Sequence, residues 1–123
     1  MTAADDMRAR RARLISICES LPEATSSGDR HVGFEVRGRR FGWYLDDHHG
    51  DGRVGIACKA APGRNTELVE SDPDTYFMPD YVGPRGWVGV RLDTPRVDWD
   101  MVEALVIDSY RMVAPKTLAR QVA

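Results

Sequence analysis

The chain has 123 residues, of which 42% are hydrophobic and 29% charged, and 17 Lys and Arg stand against 19 Asp and Glu for a formal charge of −2. These values describe one globular domain, residues 1–123, with one core, and exclude a chain dominated by disorder. A pI near 5.9 excludes any global pull toward nucleic acid or an anionic membrane, so a DNA contact requires a locally basic face.

The first 21 residues predict an amphipathic helix from Asp5 to Leu21. Met7, Leu14, Ile17, Cys18 and Leu21 share a face, acids sit in the first turn, and Pro22 marks the exit. The segment is charged from Met1 to Arg13 and is not a secretion signal, and no run reaches the length of a membrane span. The expected compartment is the cytoplasm, with no membrane partner. Cys18 and Cys58 form no CxxC pair and read as buried, reduced thiols.

After a polar stretch, Glu23 to Asp29, the period changes to two. Val32, Phe34 and Val36 share one strand face, Gly38-Arg39 turns the chain, and Arg40 to Leu45 sends Phe41, Trp43 and Leu45 to one side. A polar tip from Asp46 to Gly52 leads into a third strand, Arg53 to Lys59, with Val54, Ile56 and Cys58 aligned. A short helix over Pro62 to Glu70, an extended piece from Tyr76, a strand from Gly86 to Leu92 and a last helix capped by Asp98 or Asp100 complete the order. Pro115 interrupts that helix, and a final turn follows over Lys116 to Val122. The expected class is α+β in two layers: helices on one face of an antiparallel sheet of four or five strands, in the order α-β-β-β-α-β-β-α.

No catalytic pattern emerges. His48-His49 lies among Asp46, Asp47 and Asp51, but neighbouring strand residues point to opposite faces unless the loop bends, so no metal is assigned. There is no Gly-x-Ser-x-Gly elbow, no phosphate loop and no dinucleotide fingerprint, and Ser109 reads as a packing residue. The protein is expected not to be an enzyme and to carry no cofactor.

Charge and aromatic patterning say more. From Arg30 to Leu45 the bases Arg30, Arg37, Arg39 and Arg40 face a lone acid, Glu35, whereas Asn65 to Asp80 carries five acids and no base. The first hairpin is cationic enough to touch phosphates locally. Alternation sends Tyr44 and Trp87 opposite Trp43 and Val88. With Gly42, Gly55, Ala57 and Gly89 they outline a partly apolar face suited to a ligand groove, a dimer interface or a minor core.

Taken in order, the motifs resemble the MmcQ/YjbR family of small bacterial proteins. They are Leu21-Pro22-Glu23, Gly38-Arg39-Arg40-Phe41, Cys58-Lys59, Pro79-Asp80-Tyr81, Gly86-Trp87-Val88, Ser109-Tyr110 and Pro115-Lys116. The resemblance runs from about Leu14 to Leu118. It implies a fold similar to that of CyaY and secretion chaperones, and a double-wing protein that binds double-stranded DNA without cofactor or catalytic residues. By that resemblance the phosphate contacts are Arg37, Arg39 and Arg40, with Lys59, Arg85 and Lys116 at recurrent basic positions. Asp46, Asp47 and Asp51 would face phosphates unfavourably if their loop were the second wing.

Three readings follow. The first is a DNA-binding module using the basic hairpin. The second is a small-molecule or peptide-binding protein using Tyr44, Tyr81 and Trp87. The third is a chaperone-like protein that forms a homodimer and holds an extended partner on a sheet edge.

Overall fold

The computed structural model describes residues 2–122. Helix α1, Ala3–Glu19, begins on a reciprocal cap: Thr2 accepts from the Asp5 N–H, and the Asp5 carboxylate accepts from the Thr2 N–H. Strands follow as β1 (Ala24–Gly28), β2 (Val32–Val36), β3 (Arg39–Asp46) and β4 (Val54–Lys59). Then come α2 (Arg64–Ser71), β5 (Tyr76–Phe77), β6 (Trp87–Arg91), α3 (Trp99–Val113) and α4 (Lys116–Ala119). Asp98 caps α3 through the Met101 N–H at 3.1 Å.

The architecture is the expected α+β, with one difference: the sheet has six antiparallel strands in the order β1-β2-β3-β4-β6-β5. The additional strand, β1, lies in the polar stretch after Pro22. Its residues alternate between half-buried and exposed, so it has no apolar face for a sequence pattern to reveal. Backbone pairing along β2, from Ala24 opposite Val36 to Gly28 opposite Val32, holds it in place.

One core joins the layers. Leu14 and Cys18 of α1 and Val102, Val106 and Tyr110 of α3 pack on Val32, Phe34, Val36, Phe41, Tyr44, Ile56, Cys58, Val88, Val90 and Leu92. Two buried hydroxyls tie α3 down: Ser109 Oγ donates to the Lys59 carbonyl, and Tyr110 Oη donates to the Pro22 carbonyl at 2.6 Å. The Tyr110 ring meets Phe41 edge to face at 5.6 Å between centroids.

A bulge sets the orientation of β3. Phe34 pairs with Gly42 and Glu35 with Arg40, which leaves Phe41 as an extra residue. Phe41 is buried under the helices, and Gly42 faces the same way, since a Cβ there would lie 3.3 Å from Ile56 Cδ1 and 3.5 Å from Phe34 Cδ2. Alternation restarts one residue late. Tyr44 therefore sits on the helix side, 3% exposed with the Arg11 guanidinium over its ring. Trp43 and Leu45 turn to the open face, the reverse of the sequence expectation. The hairpin turn is also one residue earlier than expected, at Arg37 and Gly38, whose φ angles of 50° and 78° give the primed geometry that matches strand twist.

Replacing Tyr110 by Phe keeps the ring packing but leaves the buried Pro22 carbonyl without its donor. We expect Tyr110→Phe to lower unfolding free energy by about 1 kcal/mol, read from urea titration with an unchanged m-value.

Candidate functional site

The register separates charge along the strand axis. Lys59 pairs with Trp87, and Gly42 with Cys58, so the end of β4, the start of β6 and the β2–β3 turn lie at one end of the sheet. Arg37, Arg39, Arg40, Lys59 and Arg85 thus share a pole. The C-terminal part of α3 reaches the same pole through Ser109 and Tyr110, and Lys116 opens α4 just beyond it.

These bases are not equally available. Arg37 is held in a two-point ion pair by Glu23, at 2.6 and 2.8 Å. Arg40 lies 3.7 Å from Glu35, stacks over the Trp43 ring at 4.1 Å and covers Gly33, where a Cβ would collide with its guanidinium. Among the described residues Arg39, Lys59, Arg85 and Lys116 have no carboxylate within 4.0 Å. Lys59 and Arg85 flank a broad cleft of about 870 Å³, walled also by Met78 and Met112. Asn65, 5% exposed, braces the cleft by donating to the Gly83 and Trp87 carbonyls at 3.0 and 3.1 Å.

Asp46, Asp47, Asp51 and Asp93 gather at the other pole, together with Arg30, Arg53 and Arg91. Asp46 pairs with Val54 across β3 and β4, and Gly55 with Arg91 across β4 and β6, which brings the Asp46–Asp51 loop and Asp93 to the end opposite the arginine turn. Asp93 accepts from the Val54 N–H and from Arg91. Burial pushes its carboxyl up, and those bonds outweigh the burial to leave it below the ordinary range. The acidic tip therefore does not share a surface with Arg37, Arg39 and Arg40.

The open face holds a second site. Gly33, Gly55, Ala57 and Gly89 present little bulk there, and the Phe77 ring lies directly over Gly55 and Gly89. The segment between β5 and β6 folds back over this face, with the Trp87 N–H bonded to the Val82 carbonyl at 3.2 Å and Trp87 only 8% exposed. Between that segment and β3 lies a cavity of about 300 Å³. Trp43, Leu45, Ala57 and Val82 form its apolar wall, and His31, His48, Asp80 and Tyr81 its polar one. Of the three residues proposed for an aromatic groove, Tyr81 lines this cavity, Trp87 is buried and does not line it, and Tyr44 faces the helices.

All three histidines of the chain meet at this rim, with ring centroids 5.3 Å apart for His31 and His48 and 4.0 Å for His48 and His49. His49 contacts Tyr81 at 5.5 Å. The loop does bend: Asp47 and His49 are left-handed, at φ 53° and 55°, which brings adjacent rings together. Among the described residues no group of three His, Cys, Asp or Glu is arranged to hold a metal ion. His31 accepts from the Asp46 N–H at Nδ1, at 3.1 Å. Nothing in the sequence signals that His31 meets His48, whereas Gly42 inside an apolar strand is a detectable bulge signal.

A two-layer α+β domain with a basic pole defines the class, and the YjbR family model matches residues 19–112, so the chain belongs to the YjbR family. A similar solved structure is the crystal structure of the Deinococcus radiodurans protein DR2400, a DUF419 domain, with a TM-score of 0.68 and 22% identity over 89% of this chain and 84% of that one. No curated protein matches significantly. Among the described residues no helix is long and apolar enough to cross a membrane.

Burial, then the neighbouring His49 and His31, hold the His48 imidazole below its ordinary range. A depressed folded value means that the unfolded chain binds the proton more readily. The stability associated with neutral His48 is complete above the unfolded value, about 6.5, and is lost as pH falls toward the folded one. We expect imidazole NMR titration to place His48 below 6.5, and His48→Gln to flatten that segment of the stability curve.

Proposed function

We propose that this protein is a non-catalytic DNA-binding module of the cytoplasm, and that its contact surface is the basic pole. The observation that carries the reading is the strand register, which brings Arg39 and Lys59, with Arg85 before β6, to one end of the sheet, with Lys116 at the start of α4 just beyond, all free of carboxylate partners among the described residues. The β2–β3 turn serves as one wing. The 83–86 segment with Lys59 serves as the other, and the cleft between Lys59 and Arg85 gives a phosphate a place between two cations. Arg37 and Arg40 act chiefly as supports, one fixing the left-handed turn to Glu23 and the other bracing the hairpin over Gly33.

A non-catalytic role accords with the nucleophiles present. Burial pushes the Cys58 thiol up to about 11 and raises Cys18 further, so neither forms a thiolate at neutral pH. The Ser109 hydroxyl is committed to the Lys59 and Leu105 carbonyls.

Four phosphate contacts give a log–log salt slope of about −3.6, so affinity for a fluorescent duplex should fall about 100-fold between 50 and 200 mM salt. Each of Arg39→Gln, Lys59→Gln, Arg85→Gln and Lys116→Gln should reduce that slope by about 1. Absence of binding at low salt by the folded protein would retire the reading.

A further inference from the structure

The cavity on the open face lies at the acidic pole, away from the DNA surface proposed above, and stands on its own evidence. We propose that it is a binding site for a compact aromatic or heteroaromatic amine, with the ring seated between Trp43 and Tyr81 and the ammonium group paired to Asp80.

The shape suits such a guest. About 300 Å³ is the lower end of small-molecule pockets and admits a single ring system with a short chain. Buried Ala57 leaves the floor open where a larger residue would fill it, and Leu45 and Val82 close the sides.

The charge selects the sign. Asp80 carries the only full charge in the lining, and no Lys or Arg contributes to it. Asp46, Asp47 and Asp51 lie on the neighbouring loop, with Asp47 paired to Arg30 at 3.5 Å. Within the lining itself an ammonium meets a carboxylate, and the Tyr81 ring beside it, whereas an anion meets no Lys or Arg. The Arg40 guanidinium already covers the Trp43 ring at 4.1 Å, so the guest's ring packs on the part of Trp43 left free and its ammonium group pairs with Asp80. The neutral state favoured at His48 adds no opposing charge.

The backbone points to use. Among the described residues five non-glycine residues have positive φ; one of them, Tyr81, lines this cavity, and another, His49, stacks edge-on against the Tyr81 ring at 5.5 Å. Tyr81 is the least expected of these, a bulky residue at φ 64° that is 76% exposed. An exposed ring held in a disfavoured conformation contributes little to packing. Its position is accounted for by a guest that it covers.

The test uses phenethylamine and phenylacetate, which share a ring and a short chain and carry opposite charge. Each is titrated to about 10 mM, the range of fragment-sized ligands, while the Trp43 indole N–H resonance is followed by NMR. Phenethylamine should shift that resonance with an affinity about tenfold or more above phenylacetate, and Asp80→Asn should abolish the preference. Tyr81→Gly should weaken binding about tenfold while leaving the melting temperature unchanged or higher, because glycine relieves the left-handed backbone. Equal binding of both probes, or a Trp43 resonance unmoved by either, overturns the proposal. So does a Tyr81→Gly variant that melts lower and binds as well as the parent, which would make the tyrosine a structural element.

Discussion

One extra residue in β3 decides how both faces of this sheet are built. Because Phe41 has no partner across β2, Phe41 and Gly42 both face the helices, and every later residue of the strand is inverted relative to simple alternation. Tyr44 then completes the helix-side core, while Trp43 and Leu45 emerge on the other side beside Ala57. Without the bulge Trp43 would compete with Tyr110 and Phe41 for the interior, and the open face would have no aromatic floor. Glycine at position 42 makes the arrangement compatible with Ile56 and Phe34, whose side chains stand within van der Waals reach of any Cβ placed there.

The same sheet acts as a ruler for charge. Antiparallel pairing in fixed register places the β2–β3 turn, the end of β4 and the start of β6 at one end, and the β3–β4 loop with the end of β6 at the other. A net charge of −2 thereby becomes a molecule with a basic and an acidic pole. Such a distribution directs positive potential to one end of the sheet and negative potential to the other. The ion pairs at the basic pole shape it further. Glu23 and Glu35 engage Arg37 and Arg40, and leave the outer bases to act on solvent or on a partner.

The open face is assembled from small residues and rings laid across them. Phe77 covers Gly55 and Gly89, Arg40 covers Gly33 and stacks on Trp43, and the segment before β6 closes over the remainder. This filling is incomplete, and the cavity between Trp43 and Tyr81 is what remains. On its rim stands Tyr81, held in a left-handed conformation. The helix-side core needs no such backbone, because periodic apolar residues fill it in ordinary geometry.

Much of the fold was legible in the residues alone. The helical face with Leu14 and Cys18, the alternation through Val32, Phe34 and Val36, a cap at Asp98 or Asp100 and the break at Pro115 are local signals, and local physics obeys them, with Asp98 taking the cap. The basic character of the first hairpin was equally visible, since charge is a property of composition. β1 was not, because backbone pairing with β2, and no apolar period of its own, makes it a strand. The orientation of Trp43 was not either, because a bulge is a relation between two strands. The sequence by itself determined the elements other than β1, their order and the family. Tertiary structure alone decided which bases stand together, which are already paired, and that His31, Trp43, His48 and Tyr81 share one cavity, because register, bulge and loop closure join residues far apart in the chain.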